Sequence, residues 1–140
     1  MSVRCYVQAA RRHYEDAHYL ESANPPRTQN ADALYGLSAD SAAAAIELSA
    51  CSRSGQRYAT ESKTHINHKW QELRIQQGSL TQRAPGLALL PSKNPFDDWD
   101  VNQRYRCDGP VPTATLTRHK DAAGKLLAIL DQLRTAGVLL

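Results

Sequence analysis

The sequence predicts an all-α fold, an antiparallel four-helix bundle, on three observations. Apolar residues recur at steps of three and four in four separate segments, which marks helices with one buried face. Residues that stop helices, Asn24-Pro25-Pro26, Gly55 and Gly78, fall between those segments. No stretch alternates apolar and polar residues as a half-buried strand does, and no internal repeat is present. The 140 residues suit a single domain over 1–140, long enough to bury a core without disulfides or metal.

The first helix is expected over about 3–22, with Val3, Val7, Ala10, Tyr14 and Ala17 as its stripe. Arg11 with Glu15, and Arg12 with Asp16, place opposite charges one turn apart on the outer face. The second helix is expected over about 30–52, with Asn30 as N-cap and Asp32 in the first turn, where the helix dipole favours an acid. Its large apolar residues are Leu34, Leu37, Ile46 and Leu48. Ser38, Ala39, Ser41 and the run Ala42 to Ala45 lie between them and let a neighbouring helix approach closely. The third is expected over about 62–77, with Ile66, Trp70 and Leu73 on one face and Gly78 as C-cap. The last starts near Thr115 and carries Leu116, His119, Ala123, Leu126, Leu130, Leu133 and Gly137 on its stripe.

The connection over 79–113 contains Pro85, Pro91, Pro95, Pro110 and Pro112. A connection this long inside a small domain is expected to be functional or partly ordered. Asn94-Pro95-Phe96-Asp97-Asp98 reads as a helix start, continuing to about Gln103. Phe96 and Trp99 then plug one end of the bundle. Truncating Trp99 is expected to cost more than truncating Trp70, which has charged and polar neighbours on both sides.

A net charge of +3 is compatible with RNA but does not argue for it. Cys5, Cys51 and Cys107 form no CxxC, which reads as reduced thiols of a cytoplasmic protein. The first residues are charged by position 4 and never become a continuous apolar run, so neither a signal peptide nor a membrane contact is expected. No Gly-rich phosphate loop, GxSxG or zinc-finger spacing occurs, which removes the commonest small-enzyme classes, and no cofactor is expected.

His119 is the one polar residue on the last stripe. Near a helix N-terminus the dipole disfavours imidazolium, so the ring is expected neutral and fit to act as a base. Arg118 and Lys120 flank it. The alternative is a core histidine with one hydrogen bond. Upstream, Arg104-Tyr105-Arg106 suits a phosphate and a stacked base; alternatively Arg104 pairs with Asp97, Asp98 or Asp100 and Tyr105 packs on the bundle. On the first helix, Arg11 and His18 share a face roughly 10 Å apart along the axis, whereas Arg12 and His18 point apart. Only the second copy of a symmetric dimer could bring either arginine to His18; otherwise this is a solvated face. His65 and His68 could hold a metal only with ligands from other helices, and no matching ExxH occurs, so no metal is expected.

RRHYEDAHYLES followed by NADALYGLSADSAAAAIEL resembles the first two helices of HEPN-domain proteins. NPFDDWDVNQRYR and the helix carrying His119 resemble the second half of a subgroup of them. The resemblance covers most of the chain. It implies an all-α, commonly dimeric protein of toxin–antitoxin or antiviral systems, whose active members are metal-independent ribonucleases. Those carry an Arg, four to six residues, then a His, with two copies facing across a dimer cleft. Here that spacing occurs only at Arg11 or Arg12 with His18; Arg118 is adjacent to His119 and Arg106 is too far upstream. The motif is therefore displaced, assembled from Arg104 or Arg106 with His119 by folding, or lost. Asp40 and Ala44 also stand where relatives often have Glu and Lys.

Two functions follow. The first is a HEPN-like RNA-binding or metal-independent ribonuclease effector acting as a homodimer. His119 is its general base and Arg104 and Arg106 stabilise the phosphorane-like charge, with Arg12 and His18 as the alternative set. The second is a catalytically silent HEPN-like module that dimerises or binds a partner such as a nucleotidyltransferase or another defence component.

Overall fold

The computed structural model describes residues 1–54, 64–75, 80–107 and 109–139. Four helices pack together, and no strand occurs among the described residues. They are α1 (Val3–Glu21), α2 (Thr28–Ser54), α3 (Ile66–Ile75) and α4 (Thr113–Thr135). Two 3-10 helices, Pro85–Leu89 and Val101–Tyr105, lie in the connection before α4.

Ser2 caps α1, its hydroxyl accepting the Cys5 N–H at 3.2 Å. Ala10 and Ala17 are fully buried, and Val3, Val7 and Tyr14 pack at the edge of the core, as the stripe requires. α1 runs antiparallel to α4: Glu21 meets Lys120 at 3.3 Å, Tyr14 lies against Gly124, and Arg11 meets Asp131 at 2.7 Å. Arg11 thus bridges two helices rather than lying on a purely solvated face.

α2 begins two residues before Asn30, which is inside the helix and not its cap. This helix is buried on most of its circumference. Ala31, Ala39, Ala42, Ala43 and Ala45 are fully buried, whereas Leu34, Leu37 and Leu48 are only partly so. Small residues let α1 come close enough for the Ser38 hydroxyl to donate to the Ala10 carbonyl at 2.7 Å. Gly36 carries the tightest contact: a Cβ there would lie 1.9 Å from the Trp99 indole. The indole occupies the space that a side chain would need.

α3 starts later than its apolar pattern suggests, because Thr64 and His65 are not helical. Its start is fixed from outside. The Asp40 carboxylate on α2 accepts the Ile66 N–H with one oxygen and bonds His65 Nδ1 with the other. The position where the resemblance placed a polar site in doubt is therefore a helix cap supplied by another helix. Residues 62, 63, 76 and 77 and the expected stops Gly55 and Gly78 lie outside the described residues. Trp70 is 1 % exposed, equal to Trp99, and donates its indole N–H to the Pro91 carbonyl at 2.9 Å. Its polar neighbours in sequence do not keep it at the surface; Lys69 itself is buried, 4.0 Å from Glu47.

In the connection, the Asn94 side chain accepts the Phe96 N–H at 2.8 Å, as a cap should, but residues 95–98 make a turn, not a helix. Asp100 then caps the second 3-10 helix through the Asn102 N–H at 2.7 Å. Phe96 and Trp99 are buried. α4 buries Leu116, His119, Ala123, Leu126, Leu130 and Leu133 within the chain. The stripe is thus covered within a single copy of the chain. Gly137 is not on it: with φ of 76° it is the left-handed residue beyond the helix, and the Val138 N–H returns to the Leu133 carbonyl at 2.9 Å. No described helix is long and apolar enough to cross a membrane.

Gly36→Ala should lower stability by about 3 kcal/mol, the upper end of core overpacking. Trp70→Ala and Trp99→Ala should each cost about 3–5 kcal/mol. Denaturant midpoints measure all three; an unchanged midpoint for Gly36→Ala would show that the indole is not seated against α2.

Candidate functional site

The polar residue on the stripe of α4 meets a polar residue on the buried face of α2. His119 and Asp32 are 1 % and 2 % exposed, and the imidazole Nδ1 lies 2.6 Å from Asp32 Oδ1. The turn of the connection supplies a second carboxylate, Asp98, whose Oδ1 lies 2.8 Å from Nε2. Both ring nitrogens therefore face acceptors, and both donate only when the ring is protonated. Phe96 stacks on the imidazole at 5.2 Å between centroids.

A second set of contacts holds each carboxylate. Gln103 donates its amide to Asp32 Oδ2 at 2.6 Å, and the Trp99 indole donates to the Asp32 carbonyl at 3.3 Å. Arg118 bonds Asp98 Oδ2 and donates through Nε to the Pro95 carbonyl at 3.2 Å. Two carboxylates, an imidazolium and a guanidinium thus balance one another. Burial is the largest single influence on the ring and opposes its charge, but the hydrogen bonds and charges of Asp32 and Asp98 together outweigh it, raising its pKa above the ordinary histidine value. Burial likewise opposes the Asp98 charge, and the His119 and Arg118 contacts reverse that, leaving its carboxyl below the usual range.

The direction is opposite to the one expected from the helix start alone. A partial dipole charge at a helix start is smaller than two full charges within hydrogen-bond distance. The ring does line a cavity of about 270 Å³, together with Gln29, Asp32, Asp98, Gln103, Arg106 and Thr115. Arg106 is exposed there, and among the described residues no carboxylate pairs with it. The Arg104 side chain lies outside the described residues. Its expected pairing with Asp97, Asp98 or Asp100 therefore lies outside the described residues as well; Asp98 itself meets Arg118 and His119, and Asp100 serves as a cap. Arg12 and His18 are exposed on α1 and do not line this cavity. His65 is held by Asp40, and His68 is exposed. Among the described residues no group of three potential metal ligands converges.

Sequence reasoning missed Asp32, Asp98 and Gln103. Asp32 left a signal: with Tyr35 and Ala39 at three and seven residues' distance, it falls on a buried face, as His119 does on its own helix. An acid and a histidine each isolated on an apolar stripe are candidates for each other. Asp98 left none, because the conformation of the connection decides where it points. No family model, characterised protein or solved structure matches this chain.

His119→Ala should lower stability by about 3–5 kcal/mol, because it strands a buried carboxylate. The wild-type ring, followed by NMR, should titrate above 6.5. A folded-state pKa raised above the unfolded value gives stability that is complete below about pH 6.5 and lost as pH rises through the folded pKa. Asp98, shifted downward, contributes above the usual carboxylate pKa and loses its contribution on acidification. A ring titrating below 6.5 would contradict the double clamp.

Proposed function

We propose that this chain is a HEPN-like interaction module that dimerises or binds a protein partner, such as a nucleotidyltransferase or another defence component, without cleaving RNA. The observation that carries the reading is the double engagement of His119. A general base needs a free lone pair within reach of the proton it takes. With a carboxylate on each nitrogen, the His119 ring offers none while both contacts hold. The same contacts join α2, α4 and the connection, so the histidine has a structural task that accounts for its place on the stripe. Assembly then uses surfaces other than the α4 stripe, which its own chain covers.

A second reading, a HEPN-like effector that binds RNA, is supported by Arg106, exposed on the cavity without a described acidic partner. On that reading cleavage requires Asp98 to leave Nε2 and the ring to lose its proton.

One variant separates the two. His119→Gln should lower the melting temperature and leave RNA binding and cleavage as they are in the wild type. Loss of a wild-type cleavage activity of about 10²–10⁴-fold with the fold retained would reject the silent module. Light scattering at micromolar concentration should give a mass near twice the 15.5 kDa protomer; a monomer mass counts against self-association and leaves only the heterologous partner.

A further inference from the structure

The cavity beside His119 offers more than the clamp uses. Asp98 is a carboxylate that the chain delivers to a buried imidazolium. Its side chain is 44 % exposed, while the ring that it caps is 1 % exposed. Its other oxygen bonds Arg118, which lines the neighbouring groove on the outside of α4 and not this cavity. Asp98 can therefore turn toward Arg118 and uncover the Nε2–H. Asp32 cannot follow: it is 2 % exposed, bonded to Nδ1 and tied to Gln103. Its charge stays matched by the imidazolium. The groups then left on the cavity side are the Nε2–H of His119, the Arg106 guanidinium and the Thr115 hydroxyl, each a hydrogen-bond donor.

We infer that this cavity binds a small phosphate, for which the Asp98 carboxylate is the chain's own stand-in. A phosphate brings three acceptor oxygens and a larger charge than a carboxylate. It gains Arg106, which no described carboxylate engages, in exchange for the contact that Asp98 gives up. The cavity, about 270 Å³, is smaller than those of drug-sized ligands, about 300–1,000 Å³. It admits an oxyanion with at most a small substituent. The charges facing the ligand come from every element around it: Asp32 on α2, Asp98 on the connection, Arg106 after the second 3-10 helix, and His119 on α4. With Asp98 turned away, the charges of these described residues sum to a net positive site. Because Asp98 is also the tie between the connection and α4, ligand binding loosens that tie. The inference is independent of any protein partner, so it stands or falls apart from the interaction module.

The test is a titration of the full chain with inorganic phosphate at constant ionic strength, following the ring signals of His119 by NMR. The wild type should show a saturable shift. Asp98→Ala, which removes the competing carboxylate, should bind about tenfold tighter or better, and Arg106→Gln, which leaves the clamp untouched, about tenfold weaker. A folded Asp98→Ala protein with no gain in affinity overturns the inference. So does an Arg106→Gln protein that binds as the wild type does, a comparison that holds even if Asp98→Ala fails to fold. A wild-type ring that phosphate does not move at any soluble concentration overturns it as well.

Discussion

The structure depends on one imidazolium held between two carboxylates. Asp32, Asp98 and His119 come from α2, the connection and α4, and none has a buried partner within its own segment. Each charge is costly to bury alone and tolerable only in company. The three segments therefore dock together. Removing His119 or Asp32 does not subtract one hydrogen bond; it leaves an uncompensated buried charge beside Phe96 and Trp99. That makes this end of the bundle cooperative, although a long Pro-rich connection forms much of it.

α2 makes the arrangement possible. Its alanines and Gly36 keep the surrounding backbones and the Trp99 indole near its axis, so short polar side chains can reach across. The same logic recurs about two and four turns further on. Asp40 reaches the first turn of α3 and His65, and Glu47 lies beside the buried Lys69. Burial raises the pKa of both acids despite these partners. α2 thus presents a row of acidic groups, each meeting a polar side chain of another segment: His119 on α4, His65 before α3 and Lys69 on α3. Specificity in this small-residue core comes from polar pairing, while its bulk comes from alanine, leucine and two indoles.

For function, the consequence is chemical. A histidine placed to act as a base must keep one nitrogen free, and this one has neither. What the site retains is a partly exposed acid over a buried imidazole, next to an arginine with no acidic partner among the described residues. On the proposed reading that arrangement serves binding rather than proton transfer, with Asp98 at the mouth of the cavity.

The periodicity of the sequence determined that the chain is helical, which faces of α1 and α4 are buried, and that α2 is a close-packing helix, because these follow from local spacing and side-chain size. Asn94 as a cap and Phe96 with Trp99 as a plug were legible for the same reason: their partners lie within a few residues or in the nearest core. Only the tertiary structure decided the rest. Asp32 reads locally as a favourable first-turn acid, and Asp40 has no local signal; each is the partner of a side chain more than twenty residues away, Asp32 buried and Asp40 partly so. Trp70 reads as the less costly indole to truncate because polar and charged residues adjoin it in sequence, yet it is fully buried and even Lys69 beside it is buried against Glu47. The direction in which the His119 pKa moves was the furthest out of reach. A helix start disfavours the charged ring, and only the meeting of three distant segments supplies the two carboxylates that raise its pKa.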